Sequence, residues 1–332
     1  MVSRWSVNET DKKILEDIKD IIPKNIFDVH AHIYRFKDYG QKFAGSSGEG
    51  PSVVTIDVWR EQMEQIFKSS NMVGGLFFPH IQVNCNVEAC NNFIVEQLKL
   101  HKMSRGLMLI RPDDNPEKVE EFLEKHPGIL GLKPYHVFSS QKPTFESDIS
   151  GYLPEWAWEI AHRRNLFITL HMVKAGALAD PKNSEEIVYF CTKYPGVKLI
   201  LAHAARGFHR YNTIKGLPKI KGLKNIWFDV AAVCEPGAVK AILAEFGHKK
   251  LLWGSDFPIS QTRGKCVDVG DGFIWLDESI IKWETLSPAC NPVLVCIESL
   301  RAMREAFYDM KISDSQIEDI FCNNALEEMM AR

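Results

Sequence analysis

Eight short apolar runs recur along the chain, and nearly every one is followed by a stretch with the polar and apolar spacing of a helix. The runs are IFDVH (26–30), MVGGLFF (72–78), RGLMLI (105–110), ILGLK (129–133), LFITLH (166–171), VKLILAH (197–203), NIWFDV (225–230) and LLWGSD (251–256). Strands covered on both faces read as such continuous runs rather than as alternations. Strand and helix in turn predict parallel βα units, and eight of them predict an α/β fold, a (β/α)8 TIM barrel.

The intervening segments carry start signals. DVWREQMEQIFKSS, NVEACNNFIVEQLKLH, NPEKVEEFLEKH, LPEWAWEIAHRR and NSEEIVYFCTKY have helical spacing, and Asn115 followed by Pro116 is a cap with proline at the first turn. After the sixth strand, YNTIKGLPKIKG contains Gly216, Pro218 and Gly222, which predicts a short or irregular helix. DKKILEDIKDII predicts an N-terminal helix outside the barrel, and SDSQIEDIFCNNALEEMM, with Ser313 as its cap, predicts a closing C-terminal helix. The segment from Pro258 to Pro292 fits neither pattern. Its Phe273, Trp275 and Trp283 point to a lid or pocket wall after strand eight rather than to a disordered loop.

Length and composition agree with one domain over 1–332, its barrel core about 26–310: 332 residues fall within the range of single barrels, and 45% hydrophobic with 25% charged residues is ordinary globular usage. A net charge of −3 without a long basic stretch leaves no electrostatic footprint for nucleic acid or an anionic membrane, so the expected partner is a small-molecule substrate. There is no apolar run of membrane-spanning length and no signal-peptide pattern, and the eight cysteines form no CxxC pair or dense framework. Free thiols and a cytoplasmic location are the expectation.

The chemistry concentrates where strands end. Asp28 and His30 belong to the first run and His32 lies two residues beyond it, and Lys133, His171, His203 and Asp256 end the fourth, fifth, sixth and eighth. His30 and His32 are two apart, so on a strand both imidazoles leave the same face. In a parallel barrel the active site forms at the C-terminal strand ends, and strands eight and one are neighbours, which brings Asp256 to the His pair. Any one of these histidines could be a hydrogen-bonded structural residue; four histidines and an aspartate at successive strand ends point instead to a divalent metal site, zinc by ligand type, with manganese as the other candidate. Arg111, Lys174, Arg206 and His209 follow strands three, five and six, and these cations predict a carboxylate-bearing substrate. His80 after strand two, Tyr135 and His136 after strand four, and Trp275 in the last loop could line the same pocket, although for all four packing is the favoured reading.

FDVHAH, FITLH, LILAH, WGSDFP and CNNALEEM together resemble motifs of the amidohydrolase superfamily, in its amidohydrolase-related (amidohydrolase 2) branch, over nearly the whole chain. The resemblance implies a barrel holding one or two ions, with His30, His32, His171 and Asp256 as ligands and Asp28 standing behind them. His203 would bind a second ion or face the substrate. Lys133 occupies the place where many relatives carry a lysine carboxylated by carbon dioxide; it could equally be a cationic lysine facing the substrate. Homo-oligomers occur among such barrels.

The expected reaction is hydrolysis of a lactone, ester or amide by metal-activated water, with Asp256 as general base and acid and with His203 or Lys133 stabilising the developing oxyanion. The alternatives are a metal-dependent non-oxidative decarboxylase of the same branch and a barrel that binds a ligand without turnover.

Overall fold

The computed structural model describes residues 5–40, 43, 48, 50–286 and 290–330. Eight strands form the barrel: β1 Asn25–Arg35, β2 Asn71–Pro79, β3 Arg105–Leu109, β4 Ile129–Lys133, β5 Phe167–Leu170, β6 Lys198–Leu201, β7 Ile226–Asp229 and β8 Leu251–Leu252. Each pairs in parallel with the next. The seam closes through the segment after β8: Val29 N–H donates to Trp253 O at 3.1 Å, Asp256 N–H to His30 O at 2.8 Å and His32 N–H to Phe257 O at 2.7 Å. The α/β TIM-barrel reading therefore holds.

Two strand boundaries differ from the pattern. β1 runs on past the histidines to Arg35, because Phe257 on one side and the antiparallel pair Val53–Val54 on the other supply ladder partners. β8 is short. Trp253 N–H turns to Ile320 O of the C-terminal segment, and Asp256 adopts φ +60°, which ends the extended chain.

Helix starts follow their caps. Asn115 accepts from the amides of Glu117 and Lys118 ahead of the helix Pro116–Lys125, and Asn86 accepts from Ala89 N–H ahead of Val87–Leu98. After β6 the helix Arg210–Gly216 yields to a 3-10 turn, Leu217–Ile220, as Gly216 and Pro218 require. The N-terminal helix is Glu9–Asp17, shorter than its pattern, and its Asp11 is fully buried in an ion pair with Arg263 at 2.7 Å.

The segment after Asp256 is more ordered than its punctuation suggests. It contains an antiparallel hairpin, β9 Gly264–Val269 and β10 Gly272–Asp277, with Cys266 opposite Trp275 and a turn at Gly270, φ +62°. Phe273 and Trp275 pack on Phe208, each at 5.3 Å between ring centroids, so the hairpin forms a wall of the mouth. Residues 287–289 of that expected segment lie outside the described residues.

Inside the barrel, Phe27, Val29, Leu76, Phe78, Leu107, Leu130, Phe167, Ile200, Trp227 and Leu252 form one apolar cluster. Cys322, Ala325 and Met329 of the C-terminal segment join it, so that segment, built of Asp314–Glu318, a π-helical turn Asp319–Asn323 and Asn324–Met329, plugs the N-terminal end. The polar side chains are left the opposite end. Gly131 keeps β4 tight against β5, since a Cβ there would fall 2.1 Å from Phe167 O.

Candidate metal centre

His30 and His32 do leave one face of β1, and both turn their Nε2 atoms toward Asp256 Oδ1, at 3.4 and 3.5 Å. Gly254 permits this approach: a Cβ there would meet His30 Cβ at 2.7 Å. His203 adds a third imidazole, its ring centroid 4.8 Å from that of His30. One donor atom from each of His30, His203 and Asp256 lies within 4.8 Å of the other two, and all three residues are buried.

The opposite ring nitrogens are all engaged. His30 Nδ1 bonds Asp229 Oδ2 at 2.9 Å, His32 Nδ1 bonds Pro79 O at 3.0 Å, and His203 Nδ1 bonds Ala231 O at 2.8 Å. A carbonyl or carboxylate partner makes Nδ1 the protonated nitrogen and leaves the Nε2 lone pair for the centre. Burial pulls His30 well below the ordinary imidazole range, His32 to about 3 and His203 to about 4, so all three rings are neutral near pH 7. Burial also raises Asp256 to about 6.

Asp229, at the end of β7, is the residue sequence reasoning missed. Besides His30 it holds the His203 amide at 2.8 Å and the Ala231 amide at 3.2 Å through Oδ1, so one carboxylate orients two of the imidazoles. The available signal was an acid closing an otherwise apolar run. Asp28 behaves differently. Its oxygens accept from the amides of His30 (3.0 Å) and Ser255 (2.9 Å), from Trp59 Nε1 (2.8 Å) and from Ser255 Oγ (2.5 Å), so it stands behind the site by tying β1 to the segment after β8 and touches no imidazole.

Lys133 ends β4 with its side chain fully buried and its Nζ without a hydrogen-bond partner, 4.3 Å from the Phe78 ring centroid. The same ring lies 4.9 Å from His30 and 4.7 Å from His32, so Phe78 is a common floor. Burial lowers Lys133 to about 8, against the pull of Asp229 and Asp256. His171 lies on the far side of His203, 5.1 Å away between centroids, and its buried Nδ1 lacks a partner. It stands outside the tight cluster.

Beyond His203 the backbone takes an unusual course. His203, Ala204, Ala205 and Arg206 all have positive φ, from 53° to 60°. Left-handed residues cost roughly 1–2 kcal/mol each, so this turn must be held in place. Asp229 on the His203 amide, Thr213 Oγ donating to Ala204 O at 2.8 Å and Arg206 Nη1 donating to Met172 O at 2.9 Å do so. The turn delivers both His203 and Arg206 to the mouth.

The predicted substrate-side residues divide into two groups. Tyr135 and His136 lie 4.9 and 6.2 Å from His171 between centroids, and the Arg206 guanidinium, 5.6 Å from the Phe273 ring, acts electrostatically on the Tyr135 and Tyr152 hydroxyls. Lys174 instead pairs with Asp148 at 2.5 Å and Asp180 at 3.6 Å. Arg111 donates to Cys85 O at 2.9 Å and covers Phe138, and the buried His209 ring has Tyr211 as its aromatic neighbour. These three are not gathered with the others. His80 packs 5.5 Å from His32 among Tyr34, Tyr39 and Phe43, and Trp275 packs on Phe208.

The donor set fits a divalent cation: buried neutral imidazoles with aligned Nε2 atoms, one carboxylate between them, and outer partners fixing each tautomer. The sequence model of a family described as Amidohydrolase matches residues 27–327. An L-fucono-1,5-lactonase of Burkholderia ambifaria is 25% identical over 124 residues, which take in 32% of this chain and 42% of that protein. Among solved structures, a probable 2-pyrone-4,6-dicarboxylic acid hydrolase of Acinetobacter baumannii, with citric acid bound, superposes with a TM-score of 0.58 at 16% identity, covering 92% of this chain and 99% of the other. A dihydroxybenzoic acid decarboxylase of Polaromonas sp., with manganese and 2-nitroresorcinol bound, reaches 0.53 at 15% identity, covering 93% and 97%.

Proposed function

Because the chain belongs to the amidohydrolase family, we propose that it is a metal-dependent hydrolase of a small carboxylate-bearing lactone or related ester. The observation that carries this reading is the convergence of His30, His32, His203 and Asp256 with every imidazole held in its ligand-ready tautomer. These four would hold the ion, zinc by ligand type, with His171 and Lys133 available to a second one. A bound ion supplies Lewis acidity and lowers the pKa of water toward about 7.

The chain's own residues do the rest. Asp256, raised toward neutrality by burial, takes the proton of the attacking water and returns it to the leaving oxygen. His203 cannot donate from Nε2 unless it is doubly protonated, because Nδ1 serves Ala231 O, and burial opposes that protonation. This favours His203 as a ligand over a role as proton donor. Lys133, if it remains a free amine, offers an unpartnered cation to the developing oxyanion; the same buried, partly neutral amine is what carboxylation by carbon dioxide would require.

Arg206 and Tyr135, beside His171, are the positions we assign to the substrate carboxylate. The lactonase and pyrone hydrolase relatives support the lactone class, while the decarboxylase likeness keeps loss of carbon dioxide as the second reading. No described helix is long and apolar enough to cross a membrane, and with eight free thiols we place the protein in the cytoplasm. The test is to assay zinc- and manganese-loaded protein against carboxylated lactones and against hydroxybenzoic acids, following acid release in one arm and carbon dioxide in the other. Lactone turnover abolished by D256N supports the proposal; carbon dioxide release alone replaces it with the decarboxylase.

A further inference from the structure

The helix Val87–Leu98 begins with a packing contact made of sulfur. Asn86 is its N-cap, so Cys85 is the residue before the cap and Cys90 is the fourth helical residue. A side chain just before the cap packs against the one at that fourth position in the hydrophobic-staple arrangement. Here both positions are held by thiols, buried in one core cluster, and Cys85 acts electrostatically on Cys90. Both residues are only 3% exposed. The two differ in access. Cys85 lines a groove of about 720 Å³ between this helix and Pro116–Lys125, together with Asn86, Asn91, Arg111 and Phe122, whereas Cys90 stands behind it against Tyr39.

Their chemistry differs in the same sense. The neighbouring Cys90, the Gln82 backbone and the Arg111 guanidinium hold Cys85 below the ordinary thiol range. Cys90, facing Cys85 and Asp38 out of solvent, is pushed up. A thiolate-prone sulfur at a groove with a second thiol behind it is the arrangement of an attacking and a resolving cysteine.

We propose that Cys85 and Cys90 form a peroxide-responsive modification site. The Cys85 thiolate attacks one oxygen of hydrogen peroxide, the O–O bond breaks, and Cys85 becomes a sulfenic acid while the departing hydroxide takes up the proton that the Cys85 thiol had given to solvent and leaves as one water. The Cys90 sulfur then attacks the Cys85 sulfur and displaces the hydroxyl as a second water, leaving a disulfide. Two thiols and one peroxide thus yield one disulfide and two waters, and thiol exchange with a cellular dithiol reverses the step. The bridge would lock the loop His80–Asn86 onto the helix. That loop carries His80 beside His32, and Cys85 O holds Arg111.

The test uses the full chain with one equivalent of hydrogen peroxide. Cleavage after Glu88 separates the two cysteines, so a Glu-specific digest distinguishes a bridge from two free thiols. The expected result is loss of two of the eight thiols, an intact-mass decrease of about 2 Da and a reducible pair of peptides joining Cys85 to Cys90. C90S should trap the sulfenic acid on Cys85, read as a dimedone adduct. The wild-type digest stands by itself should that variant fold poorly. Cys85 and Cys90 recovered as free thiols while the exposed Cys290 is oxidised would overturn the proposal, as would a bridge from either to another cysteine.

Discussion

Asp256 sits between two imidazoles with φ +60°, a conformation that aspartate tolerates better than most residues. Asn tolerates it equally, so D256N tests the charge rather than the backbone. Its expected effect is a kcat about 10²–10⁴-fold lower with circular dichroism unchanged. The wild-type carboxylate must be ionised to accept a proton, so activity should rise with pH along an acid limb. Burial alone puts Asp256 at about 6, and a bound cation lowers it, which places the midpoint of that limb at or below about 6. Rate profiles of the metal-loaded enzyme between pH 4 and 8 check this. Asp229 gives an independent prediction. Its Oδ2 serves His30 and its Oδ1 the amides of His203 and Ala231, so an amide in its place must turn an NH2 toward a donor on one side. D229N should weaken metal affinity about 10- to 100-fold by competitive chelator titration. His30, Lys133, His171, His203 and Asp256 stand out in the sequence because each ends an apolar run, and His32 because it follows His30 by two. Asp229 ends one too, but NIWFDV reads as a buried strand, and an acid that serves backbone amides and a ring nitrogen leaves no spacing motif.

At the scale of elements, the seam between β1 and the segment after β8 depends on Asp28, which accepts four hydrogen bonds, two of them across the seam from Ser255. Its carboxyl is raised from 3.8 to about 6 in the fold because burial outweighs those donors. The folded state thus holds the proton more tightly than the unfolded chain. The stability from this group is fully present below pH 3.8 and is lost as pH rises through about 6, by about 3 kcal/mol at 1.36 kcal/mol per unit. Asn cannot titrate but turns an NH2 toward donors. D28N should therefore be destabilised by about 1–3 kcal/mol at pH 4, and the gap to wild type should narrow by pH 7. Urea midpoints at the two pH values, measured with chelator present, check both signs. The strands and caps of the barrel were legible because two-sided burial and capping leave local signatures. The hairpin β9–β10 was not. KCVDV and GFIWLD do alternate about VGDG, but the surrounding glycine, proline and cysteine residues mask a turn whose strands form a two-stranded sheet of their own, apart from the barrel sheet. The short β8 was hidden for another reason: Trp253 gives its amide to Ile320, a partner far away in sequence.

In the molecule as a whole, the candidate ligands bracket the one place where the barrel must be joined end to end. His30 and His32 lie on the first strand and Asp256 just beyond the last, while the opposite end is plugged by the C-terminal segment. An ion held by all three would therefore bridge the closure, and its binding free energy would add to the cohesion of the seam. An ion at 100 times its Kd stabilises the fold by about 2.7 kcal/mol. For a chain of 332 residues, with an unfolding entropy of about 2.1 cal/mol/K per residue, that corresponds to a fall in Tm of roughly 4 °C on chelation. The location of the effect is the sharper prediction. The amides of His32 and Asp256 close the seam onto Phe257 O and His30 O, whereas those of Leu199 and Ile129 lie remote from it. Hydrogen exchange after chelation should accelerate at His32 and Asp256 and stay nearly unchanged in β4 and β6. Uniform acceleration around the barrel would mean that the ion supports the fold globally, and no change at the seam would place it somewhere other than between β1 and Asp256.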